Sequence, residues 1–295
     1  MAIDFKALGA RAAAEGKDMT VAQTGGGDYT PPPEGPCRVR FIGYVEQGKQ
    51  KTMSMGKTVV KDMVQLVFEI HGKAYPVHVA DDGTKTPVRI SIDLPLSLNE
   101  KAHFYKLFTR MNHTQQAKHM AELLGNGYKA QIVHDKWTGK DGKERITPTL
   151  KAADGYTIQP ARVEDDEVEG GWRALEVPAA VSSIRCFLWD YADLDQWASL
   201  YIEGEYPERK NDKGEVIAKA KSKNVFQNKI KAAENFSSSP MYALLTANGA
   251  TIDIPEAEDG EEALGKPEPL PPSTTSPSEQ VAKLAASGDA LAGIC

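Results

Sequence analysis

The chain has 295 residues, 41% hydrophobic and 26% charged, with a net charge of −6, proportions that suit an ordinary globular protein. No apolar run approaches the roughly 18 residues of a helical membrane span, which excludes that class and a membrane partner. Three dispersed cysteines (Cys37, Cys186, Cys295) exclude a disulfide scaffold and a cysteine-built zinc site, and the opening MAIDFKALGARAAAEGK does not read as a secretory signal. A reducing cytosol is the expected compartment.

The net charge hides an asymmetry. Residues 37–151 hold 19 Lys and Arg against 11 Asp and Glu, a local +8, whereas residues 152–295 hold 13 against 25, a local −12. A basic block joined to an acidic one points toward a polyanionic partner.

In chain order, residues 2–15 read as a short amphipathic helix with Ile3, Phe5, Leu8 and Ala12 on one side. Thr24–Pro36, with its glycine run and four prolines, reads as a linker, so residues 1–36 form an N-terminal arm. From Cys37 the period is two. In CRVRFIGYVEQ, Val39, Phe41 and Val45 are expected to face inward, and Arg38, Arg40 and Tyr44 outward. After the loop QGKQKTMSMGK, TVVKDMVQLVFEI turns Val64, Leu66, Phe68 and Ile70 inward and Lys61, Met63, Gln65 and Glu69 outward. AYPVHV and TPVRISIDL supply a third strand, bent or in two pieces, with Val88, Ile90 and Ile92 inward and Arg89 outward.

The period then becomes helical from Asn99 to Leu124, through Phe104, Leu107, Phe108 and Met111, with a break near Asn112 and His113. YKAQIVHDKW and KERITPTLK return to strand around TGKDG, whose Asp141-Gly142 is a hairpin signal. The fold class predicted is mainly β with α, in the order of the OB-fold. That is a five-stranded barrel over residues 37–151 with helix inserted between strands 3 and 4. Residues 152–250, including IRCFLWDYADLDQWASLYI and NVFQNKIKAAENF, read as an extension packed on the barrel. Residues 251–295 read as an acidic, Pro/Ser/Thr-rich flexible tail.

In an OB-fold the first and last hairpin loops flank the oligonucleotide face. The candidate nucleic-acid-binding residues are therefore Lys49, Lys51 and Lys57 in the first loop, and Lys140 and Lys143 in the second. The strand face adds Arg38, Arg40, Lys61, Arg89 and Arg145, with Tyr44 and Trp137 as stacking rings. Enzymatic readings fail. Gly56-Lys57-Thr58 lacks the first glycine of a phosphate-binding loop, since Lys51 stands there. The six histidines form no helical i, i+4 pair, and no Gly-x-Ser-x-Gly elbow occurs. No catalytic residue, metal or cofactor is expected.

Four stretches, VRFIGYVEQGKQK, SLNEKAHFYKLFTRMN, RCFLWDYADLDQWASLYI and KSKNVFQNKIKAAENF, together resemble a family of tailed-bacteriophage single-stranded DNA-binding proteins. The resemblance spans residues 37–245 and is most distinctive at Cys186–Asp190 and Ser222–Gln227. It implies an OB-fold that coats single-stranded DNA in phage replication, recombination or repair, in the host cytoplasm. It also implies phage or host replication proteins as partners of an acidic tail, and leaves room for a homo-oligomer. Here the acidic run Asp253–Glu262 is followed by further residues ending Leu-Ala-Gly-Ile-Cys. The competing expectation is a virion or assembly protein whose barrel makes protein–protein contacts. Within the core, Phe187, Leu188 and Trp189 are expected to pack rather than touch DNA.

Overall fold

The computed structural model describes residues 30–54, 56–80, 83–139, 142, 144–210, 214, 216–250 and 252. The chain divides into two units, Met1–Pro31 and Pro32–Cys295, and the description below concerns the second. The expected N-terminal helix and the acidic tail beyond Ile252 lie outside the described residues, as do Asp141, Lys140 and Lys143.

Two long strands form the spine: β1 (Gly35–Ser54) and β2 (Lys57–His71), paired antiparallel from Arg38 opposite His71 to Ser54 opposite Lys57. They are followed by β3 (Arg89–Pro95), helix α1 (His103–Met111), β4 (Gly127–Thr138) and β5 (Glu144–Thr149). The residues ahead of β3 form a separate small ribbon, His78–Val79 with Lys85–Thr86. The extension then adds β6 (Gln159–Pro160) and β7 (Arg185–Phe187) to the same seven-stranded sheet. Its order is β6-β4-β1-β2-β3, with β5 on β4 and β7 parallel to β1. β3 and β5 approach one another without a hydrogen-bonded ladder, so no closed barrel forms among the described residues. Three short helices complete the extension: α2 (Leu194–Leu200), α3 (Val225–Lys231) and α4 (Pro240–Ala247).

Two cores lie on opposite faces of the spine. The inner one gathers Val39, Phe41, Tyr44, Val64, Leu66, Phe68, Ile70, Ile90 and Ile92 under Phe104, Leu107 and Met111 of α1. The outer one gathers Ile42, Val45 and Val67 with Phe187, Trp197, Leu200, Phe226, Phe236 and Met241 of the extension. A bulge between Phe41 and Gly43 shifts the alternation of β1. An extra residue reverses the facing of every later one, so Tyr44 turns inward and Val45 outward. The expectation for these two residues is corrected by that single irregularity.

β1 has a second edge, and three different partners cover it in turn. β4 pairs with Gly35–Arg40, β7 with Gly43–Val45, and at Lys49 the loop after α3 takes over. There Glu234 N–H donates to Lys49 O (2.9 Å) and Lys49 N–H donates to Asn235 Oδ1 (2.8 Å). Without these the edge would present unpaired backbone groups to any passing strand.

Candidate nucleic-acid interface

The outward face of β1–β3, expected to bind nucleic acid, is largely occupied by the chain itself. Arg40 is spent on a structural clamp. Its guanidinium donates to Gly125 O (2.6 Å), Pro178 O (2.6 Å) and Val177 O, pinning the strap of residues 175–182 across the sheet. Directly opposite Arg40 on β2, Glu69 is wholly buried and accepts from the Val181 and Ser182 amides, each at 2.8 Å. Arg89 stands opposite Glu69 on β3. Burial, then the neighbouring Arg185, push its pKa down to about 10, so it still carries its charge at neutral pH. Tyr44 is fully buried, and its hydroxyl donates to Glu46 Oε1 at 2.9 Å. Tyr44 offers no ring to a base, and Arg40 no free guanidinium to a phosphate.

The loop lysines sit on a two-stranded ribbon formed by the ends of β1 and β2. Residues directly opposite in an antiparallel pair share a face. Lys49 and Lys51 lie opposite Asp62 and Val60, while Lys61 and Lys57 lie opposite Gln50 and Ser54. The four lysines are thus divided two and two between the ribbon's faces. Lys51 is paired with Glu234 at 2.8 Å. Lys49 and Lys57 are exposed and Lys61 half-buried. β4 runs antiparallel to β1 and continues past its start, so the β4–β5 hairpin and this ribbon lie beyond opposite ends of β1. The two expected loops do not converge along that strand.

What does come together lies on the same outward face, at the start of β1. Arg38 faces outward with Lys129 of β4 and the buried His71 of β2 as its direct cross-strand partners, so the row sets two cations side by side. Gln159 of β6 extends that row beyond Lys129. The row opens into a cleft of about 830 Å³, whose walls include Arg38, Lys73, Arg110, Lys129, Gln131 and Tyr156. Four Arg or Lys side chains line it against one carboxylate, Asp154. Arg110 is aimed by its hydrogen bond to Tyr156 O.

The same face of β4 continues outward. Lys129, Gln131, Val133, Asp135 and Trp137 follow the two-residue period of the strand with no bulge in its pairing. Trp137 is half-buried, its indole N–H donating to Thr147 Oγ1 at 3.0 Å. Arg145, directly opposite on β5, holds its guanidinium 5.2 Å from the ring centroid, a cation–π distance that fixes both groups.

Of the expected residues, Arg38, Trp137 and Arg145 therefore belong to one continuous surface. Sequence reasoning missed Lys73, Arg110 and Lys129. Lys129 was legible, since YKAQIV alternates Lys129 and Gln131 against Tyr128, Ala130 and Ile132, all three buried. Lys73 and Arg110 come from a turn and a helix, and only the packing of α1 on the sheet brings them near Arg38.

Chemically this surface offers positive charge and one half-buried aromatic ring. Guanidinium and ammonium groups bind phosphate oxygens without reading sequence. Among the described residues no group of three or more His, Cys, Asp or Glu is placed to hold a metal ion. No family model, no curated protein and no solved structure matches the chain.

Proposed function

We propose that this protein binds single-stranded DNA without enzymatic activity, by phosphate neutralisation and base stacking, with little preference for sequence. The observation that carries the reading is the four-to-one excess of cations over carboxylates in the cleft, continuous along β4 with the Trp137 ring. An aromatic platform beside a cationic groove is what a sequence-tolerant single-strand binder needs, each stacked base contributing about 1–3 kcal/mol. The order of three strands, helix and two strands supports an OB-fold as the framework, with the sheet left open between β3 and β5. In this reading the strand runs along the outer face of β4 and β1, since the strap and extension cover β2 and β3. The resemblance of the sequence to bacteriophage single-strand binders supports a role in replication, recombination or repair, with the acidic tail as the contact for replication proteins.

The test is a titration of the full chain with single-stranded and duplex DNA across a salt series. For single strands log K falls with log salt by about 0.7 per neutralised phosphate, so engagement of the cleft's cations gives a slope near −3. A slope near zero, or tighter binding to duplex, overturns the reading and favours a protein–protein role for the same surface.

A further inference from the structure

The extension carries a feature that neither the fold nor the cleft accounts for. Between α2 and α3 the chain leaves as a β-ribbon. Glu205–Tyr206 pairs with Lys221–Ser222, and farther out Arg209–Lys210 pairs with Val216–Ala218. The returning limb reads VIAKAKSK, which places lysines at 219, 221 and 223. Alternate residues of an extended chain are about 6.6 Å apart, comparable with the separation of successive phosphates along an unstacked strand.

Two of these lysines flank one ring. Lys221 is the direct cross-strand partner of Tyr206 and shares its face. Lys223 holds its ammonium 5.5 Å from the Tyr206 ring centroid. Its aliphatic stem lies along Gly204, where a Cβ would sit 3.5 Å from Lys223 Cδ. A lysine held in this way loses little further freedom when it meets a ligand. Lys219 and Lys221 are exposed, and Tyr206 and Lys223 are half-buried. Of the carboxylates on the described ribbon, Glu208 is paired with Lys210 at 3.1 Å, and Glu205 lies opposite Ser222 on the ribbon's other face.

The root of the ribbon stands beside the cleft's own sheet face. Tyr206 lies within electrostatic range of Arg89, and Arg89 is the β3 partner of Glu69. Glu69, opposite Arg40, lies two residues along β2 from the row of His71, Arg38 and Lys129. The strap of residues 175–182, held by Arg40 and Glu69, crosses that outward face.

We propose that this ribbon is a second contact for single-stranded nucleic acid, with Tyr206 stacking a base and Lys219, Lys221 and Lys223 taking successive phosphates. The proposal rests on the single-strand-binding reading above and extends its site to a part of the chain outside the expected barrel. It makes the bound strand longer than the cleft alone accommodates.

The experiment compares the full chain with the Lys219→Ala/Lys221→Ala/Lys223→Ala variant on a long oligo(dT) across a salt series. The slope of log K against log salt falls in magnitude by about 2, at about 0.7 per lost phosphate contact, and low-salt affinity drops with it. Arginine at all three positions restores the slope. Because Lys223 packs on Gly204, the Lys219→Glu/Lys221→Glu variant, altered only at exposed positions, serves as a second form with the fold intact. An unchanged slope in both variants, with the unaltered protein binding normally, overturns the ribbon as a contact. Absence of binding by the unaltered protein instead overturns the function reading on which the proposal rests.

Discussion

The indole of Trp189 lies directly across Gly48, at a point where β1 bears no side chain. Gly48 has φ +68° and sits at the second bulge of β1, and a Cβ there would overlap the Trp189 ring. The Trp189 amide also donates to Glu46 Oε2 at 2.7 Å, so ring and backbone together fasten the extension to the spine. Gly48→Ala combines a left-handed backbone with overpacking and should cost about 2–4 kcal/mol. Trp189→Ala removes the matching surface and should cost about 3 kcal/mol, at the lower end for a tryptophan because the ring is only half-buried. Urea unfolding checks both. Below their unfolding transitions the two variants should bind oligonucleotide as the unaltered protein does.

Arg38 and Arg40 are neighbours on one face of β1 and should behave in opposite ways. Arg38 is exposed in the cleft wall, so Arg38→Ala should reduce the salt slope by about 0.7 and leave stability within about 0.5 kcal/mol. Arg40 serves three backbone carbonyls. Arg40→Ala strands those acceptors beneath the strap and should cost about 2–4 kcal/mol of stability. Paired melting curves and salt titrations separate the two. Equal effects of both substitutions on binding at full folding would show that the strap leaves Arg40 accessible.

The contrast between these two arginines shows what the sequence could and could not reveal. Strand alternation is local, and it placed Val64, Leu66, Phe68, Ile70, Ile90 and Ile92 in the inner core, where they lie. It failed at Tyr44 because one inserted residue at the Phe41/Gly43 bulge reverses the facing, and no residue type announces a bulge. It also reads an outward residue as solvent-facing. Arg40 and Arg89 are outward and covered, since residues more than a hundred positions away fold back over them. The second core was legible only as an apolar concentration between residues 181 and 247. Ile42 and Val67 face it by plain strand alternation, and Val45 joins them only because of the bulge.

Trp137 and Tyr44 were expected to play the same stacking role, and the structure separates them. Trp137→Ala should weaken single-strand binding by about 1–3 kcal/mol, the value of one stacked base. Tyr44→Phe should leave binding unchanged while costing about 1 kcal/mol of stability, because it deletes the buried hydrogen bond to Glu46. Burial, and then the Glu46 carboxylate, push the Tyr44 phenol pKa upward, so the group stays neutral throughout the accessible pH range. Quenching of tryptophan fluorescence by oligo(dT), lost in the Trp137→Phe variant, gives an independent reading of the same contact.

His71 makes stability depend on pH. Its ring is buried, and burial lowers its pKa below the ordinary 6.5, with Arg40 acting in the same direction. Glu69 Oε1, 3.3 Å from Nε2, acts the opposite way and does not outweigh them. Between the folded and unfolded values the unfolded chain binds more protons, so stability rises with pH there. The contribution is complete above pH 6.5 and is lost as the pH falls from 6.5 toward the lower folded value, by at most about 1.4 kcal/mol per pH unit. Denaturant unfolding at a series of pH values should show this decline, and His71→Gln should flatten it. A decline of equal size in the variant would assign it to other groups.

The acidic C-terminal residues should compete with DNA for the cleft. From Asp253 to Cys295 the sequence carries nine carboxylate side chains and two lysines, a local charge of −7 on the same chain as the four cleft cations. A tethered anion acts at high effective concentration, so it occupies part of the cationic surface that a strand would need. Salt screens this competition over about 10 Å at 0.1 M, and it fades as ionic strength rises. The cut belongs after Ile252, since Ala250 and Ile252 both pack against the outer core and a shorter chain would lose that contact. Truncation there should tighten single-strand binding at low salt, converge with the full chain at high salt, and leave the melting temperature nearly unchanged. Titrating both proteins with one oligonucleotide across a salt series tests it. Equal affinities at low salt would show that these residues do not reach the cleft, and a large drop in melting temperature would make them part of the fold instead.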